Sequence, residues 1–353
     1  MFDPLSRLAT RVLYASSQLP RAAWYGAHLY LIRQLAAQVR QRDVKGSTQR
    51  SRSNPTLQRR LDRDMLRLFA QDLANVEAGI YPLPADHDGS PFARLERSLL
   101  FFRDLPAIEE RRKRNATHEV LTAKTRSLRP DYYLQNFHFQ TGGWLTEDSA
   151  ERYDTQVEVL FKGTANAMRR QALPPLAEAF KGRDQRKLRL IDLGCGTGRF
   201  LDFVKQAWPR LPALGLDMSE AYIDHARRHL RRWSRINFVL ANAEAIPAPD
   251  NSYDAVTSIF MMHELPSKVR WTVIGEAARV LRPGGRLVLV DSLQRGEEPH
   301  YDAMLDWFPQ RYHEPYYQSY VNEDFVAIGR RSGLVHRGDA KAFVSKIMVF
   351  DKI

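Results

Sequence analysis

The sequence predicts an α/β protein in which a doubly wound, mainly parallel sheet follows an N-terminal helical extension. Three observations carry the prediction. From Arg186 onward, five short apolar runs alternate with helical patterns; the first two of these runs end in acids, Asp192 and Asp217; and the first feeds a Gly-rich turn, Gly194-Cys195-Gly196-Thr197-Gly198, before a helix resumes at Arg199. Before residue 125 the recurrent pattern is helical, with apolar residues three and four apart.

The 353 residues allow two domains, or one domain with a large extension. We divide them into a basic helical extension (1–125), an aromatic lid or linker (126–150) and the sheet domain (151–353). The formal charge is +12, and residues 1–125, with 21 Lys and Arg against 13 Asp and Glu, supply +8 of it. A basic stretch of this kind serves as a solvated face, a nucleic-acid contact or an anionic lipid contact. The one cysteine, Cys195, excludes an intramolecular disulfide and a cysteine-built metal site, and we assign no metal; a reducing, cytoplasmic compartment fits this usage.

Leu5, Leu8, Ala9, Val12 and Leu13 stripe one side of a first helix, with Arg7 and Arg11 opposite. A second helix is expected from Arg21 to Arg42, with Trp24, Ala27, Leu31, Leu35 and Val39 on one face. His28, Arg33 and Gln34 interrupt it well short of the roughly 20 apolar residues a membrane span needs. The start of the chain lacks the apolar core and small-residue cleavage site of a secretory signal. Gly46–Asn54 reads as a polar linker. Asn54-Pro55 and Ser90-Pro91 then read as helix starts, the first leading the stripe Leu57, Leu61, Met65, Leu68 and Phe69, the second Phe92, Leu95, Leu99 and Phe102. From Leu57 onward these faces are expected to pack on one another and on the main domain; residues 1–45 suit peripheral contact with an anionic membrane or a partner.

Asp131 to Trp144 is dense in aromatics and ends on Gly142-Gly143-Trp144. Aromatic side chains give contact area at low rotamer cost and a glycine pair can hinge, so the segment is expected over the ligand pocket, with a buried packing segment as the alternative. A helix opening at Ser149, through Tyr153, Val157 and Leu160, leads to the sheet.

The strands are expected at Leu188–Asp192, Ala213–Asp217, Ile236–Leu240, Ala255–Phe260 and Arg286–Asp291, and ligands of such sheets bind at the carboxyl ends of the strands. Asp192-Leu193-Gly194-Cys195-Gly196-Thr197-Gly198 lacks the spacing of the dinucleotide fingerprint and the Lys-Ser/Thr of a phosphate loop. Asp217 ends the second strand where a carboxylate can accept both ribose hydroxyls, Met218 beside it can pack on adenine, and Asn242 and Ala243 follow the third strand where they can read an adenine edge. Pro249-Asp250-Asn251-Ser252-Tyr253-Asp254 precedes the fourth strand, Met261-Met262-His263-Glu264-Leu265 follows it, and Arg282-Pro283-Gly284-Gly285 turns into the fifth.

Together these four segments, in order and at compatible spacing, resemble the class I S-adenosylmethionine-dependent methyltransferases, especially the branch of the ubiquinone and menaquinone C-methyltransferases and related small-molecule enzymes. The resemblance runs from about Asp184 to Ile353 and leaves residues 1–125 outside it. It implies a seven-stranded Rossmann-like sheet, with the last two strands at Leu334–Arg337 and Phe343–Phe350, and S-adenosylmethionine as cofactor. Gly194, Gly196 and Gly198 would let its methionine end approach the backbone, Cys195 would fill the turn as a small residue, Asp192 would orient the amino group and Asp217 would bind ribose.

Methyl transfer requires positioning and a dry pocket, and a base only when the acceptor arrives protonated. His263, with Glu264 to orient it, is one candidate base and His313 a second; the alternative for His263-Glu264 is a cap of the next helix. The Asn/Asp-Pro-Pro-aromatic motif of base-amine methylation is absent, as is a second cysteine for cytosine C5 chemistry, which disfavours nucleic-acid substrates despite the charge. His300–Asp324, rich in Trp and Tyr, is expected to shape the acceptor pocket and suggests an apolar or aromatic acceptor. The expected function is methylation of a lipophilic or aromatic small molecule at O, C or N; the alternative is an RNA or protein methyltransferase that uses the basic third for recognition.

Overall fold

A computed structural model of the protein describes residues 4–43 and 55–353. Four helices, α1 (Pro4–Asp43), α2 (Pro55–Glu77), α3 (Pro91–Arg114) and the single turn α4 (Ala123–Arg126), precede α5 (Glu147–Leu160), α6 (Ala165–Arg170) and α7 (Leu173–Phe180). The sheet unit then alternates β1 (Leu190–Leu193), α8 (Arg199–Ala207), β2 (Ala213–Asp217), α9 (Glu220–His229), β3 (Ile236–Leu240), β4 (Tyr253–Ile259), α10 (Ser267–Val280) and β5 (Leu281–Ser292). It closes with α11 (Asp302–Tyr312), α12 (Tyr317–Tyr320), α13 (Phe325–Arg331), β6 (Leu334–Ala342) and β7 (Ser345–Lys352).

The seven strands lie in the order β3-β2-β1-β4-β5-β7-β6. β1 pairs in parallel with both β2 and β4, and only β7 runs antiparallel to its neighbours β5 and β6. Strand order therefore reverses direction between β1 and β4, which opens a crevice at their carboxyl ends. All four residues of β1 are buried, as a central strand covered on both faces requires. The doubly wound, mainly parallel seven-stranded sheet expected from the sequence is the fold observed. Boundaries differ: β5 begins at Leu281 and carries the Pro-Gly-Gly turn as an irregularity opposite Tyr253 and Ala255, and β6 extends to Ala342 because it pairs along its whole length with β7.

At the N-terminus a correction is needed. The two expected helices are one, α1, which runs through Pro20. Pro20 is exposed, so the backbone bond its ring removes is lost on the solvent side. The expected linker Gly46–Asn54 lies outside the described residues. Ser90 caps α3 as expected, its hydroxyl accepting from the Ala93 amide at 3.2 Å. α5 starts earlier than Ser149, because Thr146 caps it.

α1 and α3 turn largely polar sides inward, so the packing expected of Phe92, Leu95 and Leu99 is not found and they are exposed, whereas α2 packs Leu61, Met65, Leu68 and Phe69 on the core as expected. Among the described side chains of α1 the buried ones are Tyr14, Gln18, Arg21, Tyr25 and His28, whereas the expected apolar stripe of Leu5, Leu8, Val12 and Leu13 points to solvent. A buried ionic network explains the orientation. The Arg170 guanidinium of α6 grips Asp72 of α2 at 2.6 Å and Asp86 at 2.9 Å, while Tyr14 and Tyr81 donate to Asp72 and Gln18 donates to Asp86. Nearby, Arg21 lies 2.7 Å from Asp88 and 2.6 Å from Glu158, and Arg199 lies 2.6 Å from Asp154. Buried charges are tolerable only in such paired geometry, so α1 cannot turn its apolar stripe inward without leaving Asp72, Asp86 and Asp88 under-satisfied. Leu68, Val76 and Tyr81 meanwhile share one core with Leu173, Phe203 and Leu190 of the sheet unit.

Candidate active site

At the carboxyl ends of β1, β2 and β4 lies a cleft of about 770 Å³, counting its open mouth. Its floor comes from the sheet: Gly194 and Gly196 after β1, Asp217 and Met218 after β2, Asn242 and Ala243 after β3, and Phe260, Met261 and Glu264 after β4. Its roof comes from Tyr132, Tyr133, Phe137 and Trp144, so the aromatic segment does lie over the crevice, joined by Tyr153 of α5 and Tyr222 of α9. Phe137 stacks on Trp144 at 5.8 Å, and Trp144, Tyr153 and Tyr222 meet edge to face. These contacts make the roof one aromatic unit. Sequence reasoning missed Tyr153 and Tyr222; the signal was their position on the sheet-facing sides of helices flanking the glycine turn.

The glycine turn is shaped for a ligand. Gly196 has φ +53°, and a Cβ built there would point into open space with nothing nearer than Tyr222 at 4.0 Å. A side chain there would be strained and would occupy the cleft. The Gly196 amide donates to Asp217 Oδ2 at 2.9 Å and the Ser219 amide to Oδ1 at 2.9 Å, fixing a carboxylate that faces the cleft with lone pairs to spare. A Cβ on Gly194 would strike Met261 Sδ at 2.5 Å, so β1 and β4 approach closely there. Gly198 lies away from the cleft, against Leu230 and Ala226. Its part is to seat α8 on α9.

Behind the turn a small recess is lined by Asp192, Cys195, Thr197, Arg169, Arg199 and Phe260 among others. Asp192 is buried and accepts from Thr257 Oγ1 at 2.7 Å. Burial pushes its pKa up to about 7, with the Thr257 hydrogen bond opposing and the Asp217 charge adding. Cys195 is buried, and burial with the Asp217 and Asp192 charges raises its thiol well above the ordinary value, so it is held as the neutral thiol. Phe260, in the left-handed region at φ +58°, carries the Arg169 guanidinium 5.6 Å from its ring centre. Arg169 has no motif around it and was not legible in the sequence. The Asn242 side chain, at the cleft wall, bonds Glu244 through both its amide nitrogen and its oxygen, and Tyr132 donates to the same Glu244 at 2.6 Å.

His263 and Glu264 sit after β4 without capping α10, whose cap position is Pro266. His263 is held from behind: its Nδ1 lies 2.6 Å from Asp291 Oδ1 and its backbone amide donates to Asp291 Oδ2 at 3.2 Å. Burial opposes its charging, but Asp291, Glu314 and Glu264 outweigh burial and lift its pKa to about 10. Glu264 lines the cleft, accepts from the Trp144 indole at 3.1 Å and lies 3.9 Å from His263 Nε2. Burial pushes its pKa well above the ordinary value; His263 opposes, and Glu314 and Asp291 add. His313 lies outside this group, behind the lid, with Nε2 2.9 Å from Gln135 Oε1, and burial lowers its pKa to about 4. The expected role of His300–Asp324 in lining the cleft needs correcting: the lining comes from the lid, and this segment braces the lid from outside through Gln135–Tyr316 and His138–Glu314.

Residues 190–285, from β1 to the turn within β5, match the family of methyltransferase domains. Over that stretch the chain is similar to methyltransferase domains. The chain is 38% identical to the 27-O-demethylrifamycin SV methyltransferase of Amycolatopsis mediterranei over 30% of its own length and 39% of that protein. It is 33% identical to the ubiquinone/menaquinone biosynthesis C-methyltransferase of Methylobacterium nodulans over 46% of its length and 63% of that protein, and 31% identical to the fatty-acid O-methyltransferase of Mycolicibacterium smegmatis over 33% and 42%. The chain thus spans 39% to 63% of these relatives.

Methyltransferase domains of this class take S-adenosylmethionine, and the residues present fit it. The open cradle at Gly196, the Asp217 carboxylate bonded by backbone amides alone and the apolar Leu216 and Ala243 walls suit an adenosyl group. In the recess behind, Arg169 supplies a cation for a carboxylate and Asp192 a buried acid for an ammonium.

Proposed function

We propose that the protein transfers a methyl group from S-adenosylmethionine to a lipophilic or aromatic small molecule. The observation that carries this reading is the roofed cleft itself: its aromatic lid stands over the methyltransferase glycine turn, and Glu264 faces the space between them. When bound, the cofactor supplies an electrophilic methyl group on a sulfonium. The chain's own groups do the rest. Asp217 and the Gly196 backbone hold the ribose side, Asp192 and Arg169 the amino-acid end, and the lid excludes water and orients an apolar acceptor.

In this reading the roles expected of the His263-Glu264 pair are exchanged. His263, lifted to about pKa 10, keeps its proton at neutral pH and is a positioning residue tied to Asp291. Glu264 faces the cleft, where its carboxylate is placed to take the proton of an acceptor that arrives protonated. Glu264→Gln should lower kcat on a hydroxyl acceptor about 100-fold or more while leaving cofactor affinity within about twofold. Unchanged turnover would remove Glu264 from the chemistry. The acceptor class is tested by incubating cell extract with methyl-labelled cofactor and partitioning the label. The reading requires it in the lipid or small-molecule fraction; label in RNA or protein would overturn it.

No described helix is long and apolar enough to cross a membrane. The same proposal sets the enzyme in the cytoplasm, in peripheral contact with an anionic membrane that would supply a lipophilic acceptor.

A further inference from the structure

Two compartments meet at Tyr153. The cleft above the sheet and the recess behind the glycine turn share five lining residues, Tyr153, Gly194, Gly196, Ile259 and Phe260. The cleft suits an adenosyl group and the recess an amino-acid end, so the atom that joins these two parts of S-adenosylmethionine, its positively charged sulfur, belongs at the shared wall. Of the five residues two are glycines, one is aliphatic, and Phe260 already carries the Arg169 guanidinium 5.6 Å from its ring centre. Tyr153 alone brings a polar side-chain atom to the passage.

The ring is held there from two sides. Beside it on α5, Asp154 accepts from Thr197 Oγ1 at 2.9 Å and from Arg199 Nε at 2.6 Å, which fixes the helix against the glycine turn and the first residue of α8. Trp144 and Tyr222 meet the ring edge to face, at 5.4 and 5.5 Å. These contacts secure the ring and leave its hydroxyl unused. Among the described residues none hydrogen-bonds the Tyr153 hydroxyl, whereas the other roof phenols are engaged, Tyr222 with Ser149 at 2.8 Å and Tyr132 with Glu244 at 2.6 Å. A polar atom of a cleft that no protein group satisfies is available to a ligand.

The hydroxyl sits where both compartments reach it. Burial pushes its pKa up; Glu264 adds, Arg169 opposes, and Asp154 and Asp217 add, so the phenol stays neutral at neutral pH. Glu264 and Asp217 belong to the cleft and Arg169 to the recess, which puts the hydroxyl at the boundary between them. The charges that act most on it are three acids against one base, a setting that favours a cation. A neutral hydroxyl free to rotate can turn its lone pairs toward a positive centre.

We propose that the Tyr153 hydroxyl contacts the sulfonium of the bound cofactor and is the means by which the protein distinguishes it from the uncharged thioether left after transfer. Once the charge is gone the contact has nothing to hold, which favours release of the spent cofactor. The contact requires S-adenosylmethionine as the occupant and rests on the proposed function that far; it does not depend on the acceptor.

The test is calorimetric titration of the full chain with S-adenosylmethionine and with S-adenosylhomocysteine, which lacks the methyl group and the positive charge. Tyr153→Phe should weaken binding of the first about fivefold or more and of the second by less than about twofold, since it deletes one charge-dependent contact and no packing. Without ligand its melting temperature should match that of the unmodified protein, because the hydroxyl has no partner to lose. Equal weakening of both ligands, or of neither, would overturn the proposal. So would a lower melting temperature, which would make the hydroxyl a structural group. Labelled methyl in RNA or protein, with discrimination lost in Tyr153→Phe, would refute the proposed acceptor and leave Tyr153 in its role. Failure of the unmodified protein to bind either ligand would remove the cofactor and the Tyr153 contact together.

Discussion

Asp192 is the residue whose environment most changes its chemistry. Buried beneath the glycine turn, it titrates at about 7, raised by burial with the Thr257 hydrogen bond opposing. An ammonium arriving beside it favours the ionised form, so ligand binding should release a proton near neutrality. Cofactor affinity should rise with pH through about 7 and flatten above it, and Asp192→Asn should abolish that dependence; calorimetry in buffers of different ionisation enthalpy reads both. For the unliganded protein the sign is opposite: a raised carboxyl pKa stabilises the fold below the unfolded value and that stabilisation is lost as pH climbs through about 7. At this scale the sequence showed that Asp192, Asp217 and Glu264 stand at strand ends. It did not show their protonation, which depends on how many polar groups the fold brings to each. Nor did it reveal Asp291, whose carboxylate meets His263 across two strands.

Among the elements, the lid is the one most clearly shaped by its contacts. His138 and Phe139 both have φ +55°, a conformation unfavourable for non-glycine residues. The turn is held by the Asn136 side chain on the Gln140 carbonyl at 3.0 Å, while Gln140 bonds the Gly143 carbonyl and Ser149. Trp144 is the element's working residue, stacked on Phe137 and donating to Glu264. Trp144→Ala should lose about 3 kcal/mol of stability and, by opening the roof, lower kcat more than it changes cofactor affinity; steady-state kinetics beside cofactor titration separates the two. The aromatic density of residues 131–144 made the lid legible. α1 was legible as a helix, but its periodicity gave no indication that the apolar side faces out, because a helical wheel does not know which face meets a buried acid.

Across the whole molecule, the basic first third and the sheet unit are joined by charge as much as by apolar contact. Arg170 is the hub: it binds Asp72 and Asp86 and lies over the Phe203 ring at 4.9 Å. Arg170→Ala should destabilise the protein by about 3–5 kcal/mol, since it leaves carboxylates buried without their partner; chemical denaturation measures the loss. Despite burial, Arg21 and Arg170 hold the Asp86 carboxyl below the usual range, and Arg199 and Arg169 do the same for Asp154. Depressed carboxyl pKa values stabilise above the unfolded value, so this stability should disappear as pH falls below about 4. The joint should loosen in acid before the sheet does.

The sequence by itself determined the sheet, the glycine turn and the class of ligand, because those rest on local necessities: an apolar run that must be buried, a turn only glycine fits, an acid at a strand's end. Tertiary structure alone decided which of His263 and Glu264 faces the cleft and which side of α1 faces water. Both outcomes depend on balances between burial and pairing, and the pairing partners, Asp291 in one case and Asp72, Asp86 and Asp88 in the other, are distant in the chain and meet only in the fold.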